Sequence, residues 1–264
     1  MTHIYAFANQ KGGVGKTTSA VNLSAYLAAK GKRALLIDLD PQANATASLG
    51  IDRRSVEPSI YDAVIDETPL REVIQLTQRV RLDFAPSAPA LSGAEVELVP
   101  LPDRERRLKR AVDAVAANYD YVFIDCPPSL GLLTVNALVA AQGVIVPVQC
   151  EYLALEGLTR LMQTIGIVRR SLNPALIVRG MLMTMYDRRA RLSQQVVDEV
   201  RQHFPDRVFE TVVPRSVRLS EAPSYGEPIL TYAPSSPGGV AYANLADELL
   251  TADNGTRINI DERG

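Results

Sequence analysis

Gln10-Lys11-Gly12-Gly13-Val14-Gly15-Lys16-Thr17-Thr18 stands between an apolar run, Ile4-Tyr5-Ala6-Phe7-Ala8, and a segment of helical period that begins at Lys16. A strand, a glycine-rich turn and a helix, in that order, is the setting a phosphate-binding loop requires. At Gly12, Gly13 and Gly15 the missing side chains let backbone N–H groups, that of Val14 among them, converge on phosphate oxygens, and the helix N-terminus adds a favourable dipole. Lys16 then reads as the group that reaches the β and γ phosphates, Thr17 as a hydroxyl ligand of Mg²⁺, and Thr18 as a further phosphate contact. The loop departs from the usual pattern at its first position, where Lys11 replaces glycine.

Outward from this loop, short apolar runs alternate with longer helical segments, which predicts a doubly wound, mostly parallel α/β sheet flanked by helices on both faces. Strands are expected at His3 to Ala8, Arg33 to Leu39, Leu82 to Ala85, Tyr121 to Ile124, Gly143 to Pro147, Ile177 to Met183 and Val208 to Val212. Helices are expected at Lys16 to Ala29, Asp103 to Ala117, Leu130 to Ala141, Leu155 to Ser171, Leu192 to His203 and Gly238 to Leu250. Asp52 to Ser59 and Pro86 to Pro102 read as excursions. Residues 1–252 form one expected domain, and the polar stretch 253–264 an expected flexible tail. Asp38-Leu39-Asp40-Pro41-Gln42 and Asp125-Cys126-Pro127-Pro128 end two of the strands, so their acids emerge at the carboxyl edge where open sheets bind ligands. Val122, Phe123, Ile124 and Asp125 read as a strand whose acid holds Mg²⁺ through water.

With 264 residues the chain can bury a large core, and a net charge of -2 with a pI near 5.8 gives no bulk attraction to nucleic acid. Any DNA binding must come from a local basic cluster. Cys126 and Cys150 match no disulfide framework, zinc or redox spacing and are expected in the core. No basic leader or membrane-length apolar run is seen, so the expected compartment is the cytoplasm. Arg104, Arg106, Arg107, Lys109 and Arg110 interleave with Asp103 and Glu105 as an expected salt-bridged face. Ser129 is expected to cap a helix, and His3 and His203 have no catalytic setting.

The second lysine in the loop, Asp-x-Asp-Pro-Gln, Asp-Cys-Pro-Pro-Ser and the run Val213-Pro214-Arg215-Ser216-Val217-Arg218-Leu219-Ser220-Glu221-Ala222-Pro223 are spread along most of the chain. Together they resemble the ParA/Soj partition proteins among the deviant Walker A P-loop NTPases. The resemblance implies an Mg²⁺-dependent ATPase that forms an ATP-bound sandwich homodimer on non-specific double-stranded DNA and is released when a ParB-type partner stimulates hydrolysis. It gives Lys11 a role at the partner's nucleotide, Asp40 a role on the attacking water and as a second water-mediated Mg²⁺ ligand, and makes Lys11, Lys16 and Asp40 the catalytic set. It places Met185, Tyr186, Asp187, Pro214 and Arg215 around the nucleotide base, where the absence of an Asn/Thr-Lys-x-Asp signature disfavours GTP. Arg189 and Arg218 are the implied DNA contacts, while Arg188 and Arg191 read equally as their neighbours or as solvated charges. Nucleoid association follows, without membrane binding.

Two rival classes share the loop. A MinD-like membrane-associated division ATPase carries a basic amphipathic C-terminal helix. The sequence from Asn254 to Gly264 is too short and too acidic for such a helix. A cluster-carrying relative of the nitrogenase iron protein needs cysteines at the dimer interface, which Cys126 and Cys150 do not match. No DNA-reading helix-turn-helix is expected ahead of the loop.

Overall fold

The computed structural model describes the backbone of residues 1–151 and 154–261 and the side chains of 1–151 and 157–255. The described strands are β1 (His3–Phe7), β2 (Ala34–Asp38), β3 (Gln75–Leu76), β4 (Leu82–Ala85), β5 (Tyr121–Asp125), β6 (Gly143–Gln149), β7 (Ile177–Tyr186) and β8 (Val208–Pro214). They form one sheet in the order β3-β4-β2-β5-β1-β6-β7-β8. Only β3 runs antiparallel among these pairs. The seven expected strands are present, and the short edge strand β3 is an addition.

Alternate residues of the central strands feed two apolar layers. Ile4, Ala6 and Ala8 join Ile37, Val122 and Ile124 on one face. Tyr5 and Phe7 join Leu36 and Phe123 on the other. Burial on both sides explains why these strands read as continuous apolar runs. The first face is covered by α3 (Ile60–Ile65), α6 (Arg107–Asp113), α7 (Leu132–Ala140), α8 (Ala154–Ser171) and α9 (Arg191–His203), with the short α4 (Leu70–Val73) and α5 (Ala94–Glu97). The second is covered by α1 (Lys16–Ala29), α2 (Asn44–Ser48), α11 (Ile229–Tyr232) and α12 (Pro237–Asp261), with α10 (Val217–Glu221) against them. The short helices α2, α3, α4, α5, α10 and α11 were not expected, because fewer than two turns show no period. No helix among the described residues is long and apolar enough to cross a membrane.

Three local expectations need correction. Arg107 is not on a solvated face: it is 7 % exposed, and its guanidinium donates to the carbonyls of Val64 and Ile65 at 3.1 and 2.8 Å, satisfying the end of α3. Lys109 pairs with Asp113, Arg110 with Glu67 and Asp103, and Arg104 with Glu105 as expected, while Arg106 instead donates to the Leu172 carbonyl at 3.2 Å. Ser129 does not cap α7. The cap comes from Glu95 on α5, whose carboxylate accepts from the N–H groups of Leu132 and Leu133 at 2.7 and 3.3 Å.

The third correction concerns the chain's last segment. Rather than ending near Leu250, α12 continues to Asp261, and residues 262–264 of the expected tail lie outside the described residues. Asp253, taken as the first tail residue, is only 3 % exposed. Its Oδ1 accepts from the Tyr5 hydroxyl and from Nε and a terminal nitrogen of Arg179 at 2.8, 3.0 and 2.8 Å, and its Oδ2 from Tyr121 at 3.1 Å. Those partners come from β1, β5 and β7, so a local reading of polarity could not reveal them. Removing the carboxylate leaves Arg179 with 17 % of its side chain in water and no counter-charge from Asp253. Asp253→Ala is therefore expected to destabilise the protein by roughly 2–4 kcal/mol. Chemical denaturation should show the loss as a lower midpoint, and an unshifted midpoint would mean the cluster does not fasten α12.

Candidate functional site

The loop after β1 is held by strands on either side of it. Asn9 reaches across to β6, where its amide donates to the Pro147 carbonyl at 2.7 Å, and its side-chain oxygen accepts from the Lys11 N–H at 3.1 Å. From β7 the Thr184 hydroxyl donates to the Val14 carbonyl at 2.9 Å. Gly13 and Gly15 adopt φ of +74° and +87°, in the left-handed region that side chains resist. A Cβ on Gly12 or Gly13 would meet nothing within 4 Å, so the loop's outer surface is open. Gly15 precedes α1 without any side-chain cap, leaving the helix's first N–H groups without a side-chain acceptor. Such a terminus suits an anion.

Lys16 folds back under this arch. It is 6 % exposed, and its ammonium donates to the Lys11 carbonyl at 3.3 Å. Burial holds its pKa below the ordinary lysine value, against the pull of Asp125 and Asp40. Lys11 has the opposite fate. Its side chain keeps 41 % exposure, with its ammonium 3.4 Å from Glu151 on the rim.

Two aspartates sit in register at the ends of β2 and β5, Asp38 opposite Asp125, and both are fully buried. Burial raises the pKa of each above the ordinary carboxylate range, and for Asp125 the charge of Asp38 adds to the effect. Their surroundings differ. Asp38 accepts from the Thr46 N–H, the Thr46 hydroxyl and the Asp40 N–H at 2.8, 2.7 and 3.2 Å. Neither oxygen of Asp125 has a partner in hydrogen-bonding geometry, although the Thr17 hydroxyl and Lys16 ammonium are close enough to offset part of its rise. A buried carboxylate left without donors, beside a threonine hydroxyl, fits a hydrated divalent cation. Asp40, 6 % exposed, accepts from the Gln42 N–H at 2.9 Å, and its carbonyl accepts from the Ser87 hydroxyl at 2.8 Å. Thr46 and Ser87, which lock this turn, were invisible in the sequence because neither lies in a motif.

Beside the loop opens a cleft of about 310 Å³. Gly15, Thr18, Met185, Pro214 and Arg215 line it, as do Thr184, Ser216, Leu219 and Tyr242, which sequence reasoning did not single out. Tyr186 and Asp187, grouped with Met185 from the sequence, are not among its lining. The Tyr186 hydroxyl donates to Gln194 at 2.7 Å, and the Asp187 carboxylate accepts from the Arg189 N–H at 2.9 Å, closing the turn into α9. Arg188, Arg189 and Arg191 are exposed around that turn. Arg218, on α10 after the adjacent strand β8, is exposed and paired with Glu221. Cys126 and Cys150 are buried, with thiol pKa values raised by burial, for Cys150 to about 12, so both behave as core residues.

A family model described as an AAA domain matches residues 2–178. The chain is 54 % identical to the sporulation initiation inhibitor protein Soj of Bacillus subtilis, over 94 % of this chain and 98 % of that one. It is 52 % identical to the chromosome partitioning protein ParA of Myxococcus xanthus, over 95 % of this chain and 88 % of that one. Among solved structures, a cobyrinic acid a,c-diamide synthase of Mycobacterium smegmatis with bound ADP and magnesium superposes with a TM-score of 0.84 at 38 % identity, covering 95 % of this chain and 94 % of that one. The septum site-determining protein MinD of Pyrococcus horikoshii, complexed with Mg-ADP, gives 0.76 at 27 % identity, covering 94 % and 96 %.

An unpartnered buried carboxylate costs stability while no cation is bound. Asp125→Asn is expected to raise the melting temperature of the nucleotide-free protein, at roughly 2–4 °C for each kcal/mol recovered. The same variant should lose the strengthening of ADP binding by Mg²⁺ in calorimetry. An unchanged or lower melting temperature would show that Asp125 is not held at a cost.

Proposed function

This chain belongs to the ParA/Soj family of chromosome-partitioning P-loop ATPases, and on that premise we propose that it is a nucleotide-gated DNA switch. ATP draws two copies face to face, the pair binds double-stranded DNA without sequence preference, and a ParB-type partner ends the state by stimulating hydrolysis. The observation that carries this reading is the contrast between the two lysines of one loop. Lys16 is sealed inside its own site, whereas Lys11 stands on the rim, where its ammonium forms a weak surface ion pair with Glu151. A lysine at the rim is available to a second molecule's nucleotide, where its charge offsets what develops on the transferring phosphoryl group.

Within one copy, the loop N–H groups from Gly12 to Thr18 and the Lys16 ammonium take the phosphates. Thr17 and Asp125 would hold Mg²⁺, the latter through water, with Asp40 as a second water-mediated contact. The bound cation neutralises phosphate charge. Asp40, fixed by Gln42 and Ser87, orients the attacking water. The cleft beside Met185, Pro214 and Arg215 receives the adenine base, with Tyr186 and Asp187 following Met185 outside its lining. Arg189 and Arg218 contact DNA phosphates, each weak alone and made additive by the pairing of two copies. In a cell such a protein works in the cytoplasm on the nucleoid.

Size exclusion and DNA retardation with ADP against ATP test the switch, which requires both to change together. Lys16→Ala should abolish nucleotide binding. Asp40→Ala should keep dimers and DNA binding yet lose at least about 100-fold in hydrolysis, and Arg218→Glu should lose DNA binding alone. DNA affinity should fall with salt at a slope of about 0.9 per phosphate contacted. Hydrolysis at the normal rate in Asp40→Ala would remove its water-positioning role, and a salt-insensitive complex would exclude backbone-phosphate binding.

A further inference from the structure

The helix α10 carries two kinds of residue. Leu219 and Ser220 line the cleft beside the loop. Arg218 and Glu221, one turn apart, meet through Nη1 and Oε2 at 2.9 Å, with 59 % and 38 % of their side chains in water. The same Oε2 accepts from the Tyr232 hydroxyl on α11 at 3.0 Å. Tyr232 is itself stacked on Tyr225, ring centroids 4.9 Å apart and planes inclined by 27°. A surface pair three residues apart contributes little to folding. The second donor from another helix therefore does more than hold a loose rotamer: it fixes the carboxylate beside the guanidinium.

Resting on the reading of Arg218 as a DNA contact, we propose that Glu221 is a built-in stand-in for a DNA phosphate, occupying part of the Arg218 guanidinium and restraining its affinity for DNA. A guanidinium offers five donors in a planar fork, so DNA can approach while the carboxylate stays. The carboxylate nevertheless neutralises the arginine in advance and repels the incoming polyanion. Part of the counterion release that Arg218 would otherwise provide is then lost. Tyr232 prevents the escape of Glu221 that would relieve this. A switch that must let go of DNA benefits from such restraint, since each uncompensated arginine would be doubled by pairing of the copies.

Glu221→Gln removes the charge while keeping the length of the side chain and an oxygen that accepts from Arg218 and Tyr232. The test uses the full chain with a non-hydrolysable ATP analogue and a labelled double-stranded DNA fragment, read by fluorescence anisotropy over a salt series. Glu221→Gln, Arg218→Gln and the double variant are compared with the unsubstituted protein. Glu221→Gln should bind about 3- to 10-fold tighter at low salt, with a salt slope steeper by up to about 0.9 per copy. Arg218→Gln should bind more weakly, and the double variant should match it, because without the arginine the carboxylate has nothing to mask. Equal or weaker binding by Glu221→Gln would overturn the proposal, as would a gain that persists in the double variant, which would mark a general charge effect. If the unsubstituted protein takes up the analogue but no DNA, the DNA-binding reading falls and carries this proposal with it. A protein that binds DNA with an unimproved Glu221→Gln sinks the proposal alone.

Discussion

At the carboxyl end of β5, Asp125 holds a carboxylate that solvent does not reach and that no donor meets in hydrogen-bonding geometry. Ionising such a group costs several kcal/mol unless charge is supplied nearby. Asp38, its neighbour in register, is buried as completely but is saturated by three donors. The comparison separates two uses of the same residue type at the same depth. Asp38 is spent on the architecture of the turn that carries Asp40, whereas the acceptors of Asp125 are left open. Lys16 tempers the cost without removing it, since its own burial already depresses its pKa.

The remainder of the site follows from keeping that position open. A loop that must wrap phosphates cannot fill its own interior with side chains, so it is held from outside. Asn9 ties it to β6 and Thr184 ties it to β7, both through main-chain groups of the loop or strand. Positive φ at Gly13 and Gly15 turns the chain into α1, whose uncapped first turn presents N–H groups to whatever the loop encloses. Placing the ligand groups on strand ends and one helix start makes the site rigid before any ligand arrives.

How much of this could be read from the amino acids depends on how local each feature is. The loop, the strand-end aspartates and the long helix from Lys16 to Ala29 are written in consecutive residues, and all appear where the pattern places them. Contacts between distant segments left no such trace. Asp253 resembled a tail residue because its partners lie on β1, β5 and β7, and Ser129 resembled a cap because the true cap, Glu95, arrives from another helix. Arg107 belonged to a cluster that is otherwise solvent-facing, and only the end of α3 explains its burial. Of the three residues grouped by the resemblance, Met185 lines the cleft, whereas β7 ends at Tyr186 and the chain turns towards α9 at Asp187, outside the cleft's lining.

The order of the strands also determines what can influence what. β7 and β8 are neighbours, so the turn bearing Arg188 and Arg189 and the helix bearing Arg218 leave the same edge of the sheet. Five residues of helix have little stability of their own, and α10 takes its position from packing. Leu219 lies over Gly238 so closely that a Cβ there would come within 2.7 Å of its Cγ. Because Leu219 also lines the cleft, a ligand seated there would touch the element that carries Arg218 one residue away. A ligand shifts an equilibrium only by interacting differently with its two states, and α10 is the element that joins the lining of the cleft to an arginine at the surface. Coupling between the two regions therefore requires no long path through the core.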